Sequence, residues 1–98
     1  MTGGPAPGEM LLHGSCVAID GAGVLLRGRP GAGKSDLALR LVDRGALLVA
    51  DDQVALARDG DALLARAPSR LAGLIEVRGL GILRLPAAAR VPLRLVLD

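Results

Sequence analysis

The 98-residue sequence predicts an α/β fold, a mixed sheet organised around a phosphate-binding loop and the helix that follows it. Three observations predict it. Gly28-Arg29-Pro30-Gly31-Ala32-Gly33-Lys34-Ser35 satisfies the pattern G-x-x-x-x-G-K-[ST] at each specified position. A short apolar run, Gly23-Val24-Leu25-Leu26-Arg27, leads into it as a strand, and Asp36 to Arg44 leads out of it with helical spacing. The rest of the chain is mostly short apolar runs punctuated by Gly, Pro and Asp-Gly, the pattern of strands and tight turns.

The loop carries the chemistry. Its glycines let successive backbone N–H groups turn inward around an anion without Cβ clashes. The helix adds its own unpaired N–H groups and the positive end of its dipole. Lys34, the only lysine of the chain, can reach β- and γ-phosphates, and the Ser35 hydroxyl can coordinate Mg²⁺. The competing reading is an ordinary Gly-rich turn before a helix.

Before the loop, the Gly- and Pro-rich residues 1–9 read as a disordered lead-in, leaving 10–98 as one domain. Met10 to Gly14 is a short extended piece and Ser15-Cys16-Val17-Ala18-Ile19 a strand. After the turn Asp20 to Gly23 the next strand returns antiparallel as a hairpin. In the helix, Leu37, Ala38, Leu41 and Val42 form one apolar face, and Gly45 ends it. Ala46-Leu47-Leu48-Val49-Ala50 reads as a buried central strand, parallel to strand 24–27 through a right-handed crossover. Residues 54–57 and 62–65 form a hairpin about Asp59-Gly60. Leu74 to Arg78 and Ile82 to Leu85 are strands flanking Gly79-Leu80-Gly81. Val91 to Leu97 is a last strand, with Pro92 favouring a sheet edge or a strand start.

Composition excludes several classes. A charge of +2 from scattered arginines, with no aromatic residue for base stacking, argues against nucleic-acid binding. No apolar run is long enough to span a membrane, and the N-terminus is unlike a signal peptide, so a cytoplasmic location is expected. Cys16 has no partner for an internal disulfide, and its alternation with Val17 and Ile19 makes it a packed strand residue. The aliphatic core is small, and the β-prone Val91–Leu97 segment is expected to need cover, which suggests an oligomer.

Asp51 and Asp52 close the apolar run 46–50 at the strand end where open α/β sheets bind ligands. A carboxylate there can hold Mg²⁺ or accept a proton from an attacking hydroxyl. Strand alternation sends the two side chains to opposite faces, so they should not share a role. The alternative is a solvated turn.

Four blocks then resemble the C-terminal catalytic domain of HPr kinase/phosphorylase, the bacterial enzyme that phosphorylates a serine of the phosphocarrier HPr and can remove that phosphate. They are His13-Gly14, Gly28–Ser35, Leu48-Val49-Ala50-Asp51-Asp52, and Ile75-Glu76-Val77-Arg78-Gly79-Leu80-Gly81-Ile82, in family order over residues 10–85. The resemblance implies a P-loop kinase core using ATP and Mg²⁺, with nucleotide bound by Gly28, Arg29, Pro30, Gly31, Ala32, Gly33, Lys34 and Ser35. It implies Asp52 as general base, Lys34 as stabiliser of the transferring phosphoryl group, His13 as an assisting active-site residue, and Ser35 and Glu76 as metal ligands. It also implies HPr as partner and assembly through catalytic domains, usually as hexamers.

Residue by residue, His13 alone also fits a structural histidine, and Glu76 a carboxylate paired with Arg78. The chain departs from the family at Asp36, where Glu is usual, and at Pro86 to Arg90, which lack the usual Phe-Gly turn. Nothing in the sequence corresponds to the N-terminal domain of longer members, so a short form is expected. The family's later catalytic arginine also has no counterpart before Asp98, which weighs against the phosphorylase direction. Two further readings stay open, a nucleotide-binding regulatory module with little turnover and a small-molecule or carboxykinase-like kinase.

Overall fold

The computed structural model describes residues 7–29, 33–77 and 79–98. The expectation for the lead-in therefore lies mostly outside the described residues, as do Pro30, Gly31, Ala32 and Arg78. Glu9, placed in the lead-in by composition, instead opens the first strand.

The elements run β1 (Glu9–His13), β2 (Ser15–Ile19), β3 (Ala22–Leu26), α1 (Lys34–Asp43), β4 (Leu47–Ala50), β5 (Gln53–Asp59), β6 (Ala62–Arg66), a 3₁₀ turn (Ser69–Leu71), β7 (Leu74–Val77), β8 (Gly81–Arg84) and β9 (Val91–Leu97). Seven strands form one mixed sheet in the order β1-β5-β6-β9-β3-β2-β4, and β7 and β8 form a separate two-stranded sheet. The local expectations hold. β2 and β3 pair antiparallel with Ile19 opposite Ala22. β5 and β6 pair about Gly60-Asp61, with Asp59 opposite Ala62.

Three further expectations hold only in part. β4 runs parallel to β3 as expected, since both pair antiparallel with β2, but it is an edge strand and β2 stands between the two. It is nevertheless buried from Leu48 to Ala50, because α1 lies over it and residues 87–88 line its free edge through a Leu48–Ala87 bridge and the Ala88 N–H to the Leu48 carbonyl at 2.8 Å. β9 is an interior strand, parallel to β3 and antiparallel to the end of β6. Of the two places expected for Pro92, the strand start is the one observed, one residue inside β9 where pairing with β6 stops. Val91 is buried whereas Leu95, Val96 and Leu97 are exposed, so the uncovered apolar run expected of this segment lies at its end and not at its start. Finally, Leu37 is 43% exposed, whereas Leu39 packs inward with Leu41 and Val42. Leu37 and Leu39 flank Ala38 on opposite rims of one stripe, and only one rim faces the cluster that contains Ile75.

The sheet is curved enough that β2 touches β5 and β4 touches β6, although neither pair is adjacent in strand order. The inside of that curve holds Cys16, Leu25, Val49, Val54, Leu56, Ala65 and Val91. The opposite face packs Val17, Val24, Leu26 and Leu48 against Ala38 of α1 and Ile75 of β7. The alternation within β2 (Cys16 to one cluster, Val17 to the other) is the period-two pattern of a strand buried on both sides. A bidentate ion pair from the Arg66 guanidinium to Glu9, with Nε to Oε2 at 2.8 Å, ties β1 to β6 across β5.

Candidate functional site

The chemistry-bearing residues converge at one end of the sheet. β1 ends at His13, β2 begins at Ser15, β4 ends just before Asp51, and α1 begins at Lys34. Because β2 runs antiparallel to β4, with Cys16 opposite Ala50, the start of β2 lies beside the end of β4. A cleft of about 690 Å³ opens there, lined by His13, Gly33, Lys34, Ser35, Asp52 and Glu76 among others. Gly28 and Arg29 line a separate, smaller hollow with Arg27 and Asp98.

Gly33 stands at the N-cap of α1 with φ of 87°, a left-handed conformation that glycine adopts without Cβ strain. The helix begins there, and its first residues, Lys34, Ser35 and Asp36, line the cleft. The Lys34 ammonium bonds to the carbonyls of Gly28 at 3.0 Å and Arg29 at 2.8 Å, so it currently braces the loop.

The centre of the cleft floor is Asp51, for which the sequence pointed to metal affinity or folding without naming its partners. It is 5% exposed. Its Oδ1 accepts hydrogen bonds from the hydroxyls of Ser35 and Ser15, each at 2.7 Å. Its Oδ2 accepts the backbone N–H of Glu76 at 3.2 Å. No cation pairs with it among the described residues, so three donors satisfy a buried charge. Ser15 was missed as well. The available signal was a small polar residue opening an otherwise apolar, doubly buried strand.

Asp52 goes the other way. Its φ is 72°, a left-handed conformation that Asp tolerates better than bulkier residues. The Gly14 N–H holds its carbonyl at 3.0 Å, and a Cβ on Gly14 would meet the Leu26 carbonyl oxygen at 2.8 Å, so glycine is required in that position. The reversal leaves the Asp52 side chain open to the cleft, its Oδ1 3.5 Å from His13 Nδ1. The two aspartates do have different surroundings, as expected. The cause is this backbone reversal, because β4 has already ended at Ala50.

Glu76 projects from the exposed side of β7, opposite Ile82 of β8. Its expected alternative partner, Arg78, lies outside the described residues. Among the described residues no group of three or more His, Cys, Asp or Glu side chains is arranged as a metal cage. No helix among them is long and apolar enough to cross a membrane.

Comparison with known proteins bears on this arrangement. The family described as HPr Serine kinase C-terminal domain matches residues 7–88. An HPr kinase/phosphorylase of Peptoclostridium acidaminophilum is 53% identical over 73 residues, covering 74% of this chain and 24% of that protein. That of Bacillus subtilis is 51% identical over 73 residues, with the same coverage. The solved Hpr(Ser) kinase/phosphatase from Coxiella burnetii superposes with a TM-score of 0.83 at 32% identity, over 89% of this chain and 63% of that one. The chain spans about a quarter of the length of the curated relatives it matches. On fold and sequence together, it belongs to the HPr serine kinase C-terminal domain family.

Proposed function

We propose that this domain binds ATP with Mg²⁺ through a P-loop formed by Gly28–Ser35 and transfers the γ-phosphoryl group to a serine of HPr, in the cytoplasm and as part of a homo-oligomer. The observation that carries the reading is the convergence, in one cleft, of Ser35 bonded to Asp51 with the exposed pair Asp52 and His13. The first pair has the chemistry to hold a metal-bound phosphate, and the second to receive a proton.

The residues fit a magnesium ion by donor type. A hydroxyl and carboxylates are the oxygen ligands a hard cation takes, and Mg²⁺ is usually held by one or two carboxylates together with substrate phosphates. Ser35 and Glu76 would hold it, with Asp51 fixing the Ser35 hydroxyl from beneath. When bound, the ion supplies neutralisation of charge on the β- and γ-phosphates. Lys34 would exchange the Gly28 and Arg29 carbonyls for phosphate oxygens, a better partner for an ammonium.

In the proposed reaction the substrate serine oxygen forms a bond to the γ-phosphorus as the bond to the ADP oxygen breaks. The serine proton passes to Asp52, and His13 beside it orients that carboxylate. Transfer of labelled γ-phosphate from ATP to HPr tests the reading directly. Asp52→Asn should keep nucleotide binding and lose about 10²–10⁴-fold in transfer, the usual worth of a general base. Equal transfer by wild type and variant at saturating Mg²⁺ would reject the assignment. The second reading, a nucleotide-binding module with little turnover, is favoured by the present bonding of Lys34 to loop carbonyls. Binding without transfer by the wild-type chain would select it.

A further inference from the structure

The mechanism above leaves one buried polar group unused. Ser15 is 1% exposed, and its hydroxyl donates to Asp51 Oδ1 at 2.7 Å, the same oxygen that accepts from Ser35. A serine so deeply placed among Cys16, Val17 and Ala18 would be replaceable by alanine if packing alone mattered. Here it supplies one of three donors to a carboxylate with no paired cation among the described residues.

We propose that Ser15 is a positioning residue for the metal–nucleotide site, acting through Asp51. The carboxylate can hold the Ser35 hydroxyl in one direction only if its own rotamer is fixed. Glu76 N–H fixes Oδ2 from β7, and Ser15 fixes Oδ1 from β2. Without Ser15, Oδ1 keeps only Ser35, the group it is meant to orient, and the carboxylate can turn with it. Groups that orient metal ligands from behind typically contribute 10–100-fold to metal affinity or activity.

The proposal rests on the kinase reading for its functional consequence but not for its geometry, so the test has two arms. In the nucleotide-free chain, hydrogen exchange at the Glu76 amide reports whether the carboxylate is held. Ser15→Ala should exchange faster at Glu76, and Ser15→Thr, which keeps the hydroxyl, should restore protection. In the second arm, Mg²⁺ is titrated at fixed fluorescent ATP analogue. Half-saturation should rise about tenfold in Ser15→Ala, with metal-free nucleotide affinity unchanged and with recovery in Ser15→Thr. Unchanged Glu76 exchange in Ser15→Ala, or equal impairment in both variants, would overturn the positioning role. An exchange effect with an unchanged Mg²⁺ midpoint would likewise overturn the link to metal. Absence of nucleotide binding by the wild-type chain would sink the kinase reading and, with it, that link, while the exchange arm would still decide whether Ser15 holds Asp51.

Discussion

Replacing Asp51 by Asn changes one atom and should separate the two neighbouring aspartates sharply. The Asp51 carboxylate accepts from Ser15, Ser35 and Glu76 N–H, and it is buried. An asparagine offers one accepting oxygen and an amide nitrogen that only donates. If the oxygen serves the two hydroxyls, the nitrogen faces the Glu76 N–H, and that donor loses its partner. If the amide flips, both hydroxyls must find new acceptors. Losing one hydrogen bond to a charged acceptor costs about 1.5–3 kcal/mol, and weakening the other two adds to it, so about 2–4 kcal/mol is expected. Domains of this size are stable by only about 5–15 kcal/mol. The melting temperature should therefore fall by about 8–32 °C, at about 4–8 °C per kcal/mol. Asp52→Asn is the internal control. Its side chain is 63% exposed, and Asn tolerates the left-handed backbone there, so its stability should change by about 0.5 kcal/mol or less. Thermal melts of the two variants side by side check this. Equal melting temperatures for wild type and Asp51→Asn would refute the view that this carboxylate is the anchor of the cleft.

Lys34→Ala should abolish most nucleotide binding while leaving the fold intact, since its two partners are exposed loop carbonyls; equal affinity in a titration would count against the loop assignment. Glu9→Gln should lower stability by about 1–3 kcal/mol in urea denaturation, because it removes the charge of a mostly buried carboxylate from its bidentate pair with the partly exposed Arg66 guanidinium; an unchanged midpoint would show the pair contributes nothing net. Burial pushes the Cys16 thiol up from 9.0 to about 11. The folded state thus keeps a proton that the unfolded state releases first, so this contribution is fully present below about pH 9 and is lost as pH rises toward about 11. Native protein at pH 8 should resist a thiol reagent that labels unfolded protein at once, and rapid labelling would contradict that burial.

The local grammar of the fold was legible. Hairpins at 15–26 and 53–66, the helix after the loop and the strand starting at Val91 all follow from spacing, Asp-Gly turns and glycine. Strand order was not, because alternation tells which faces are buried and not which strand lies alongside. An apolar run such as 47–50 looks the same whether it is central or an edge covered by residues 87–88. The same limit hid Asp51. In the sequence it is half of an acidic doublet, and only the fold brings Ser15, 36 positions away, within 2.7 Å of it.

The misread position of β4 has a chemical consequence. Had β4, which runs parallel to β3, also been its direct neighbour, its carboxylates would have emerged beside Leu26 and the start of the loop. In the structure β2 is inserted between them, and it runs the other way. What emerges beside Asp51 is therefore the beginning of β2, with Ser15, and just before it the end of β1, with His13. An antiparallel neighbour is what allows one residue pair, Asp51-Asp52, to reach two different sets of partners. Asp51 is held by Ser15, Ser35 and the Glu76 amide. Asp52, reversed by its own backbone and pinned through the Gly14 N–H, meets His13. The proposed division between a fixed anchor and an exposed base thus follows from strand direction as much as from residue type.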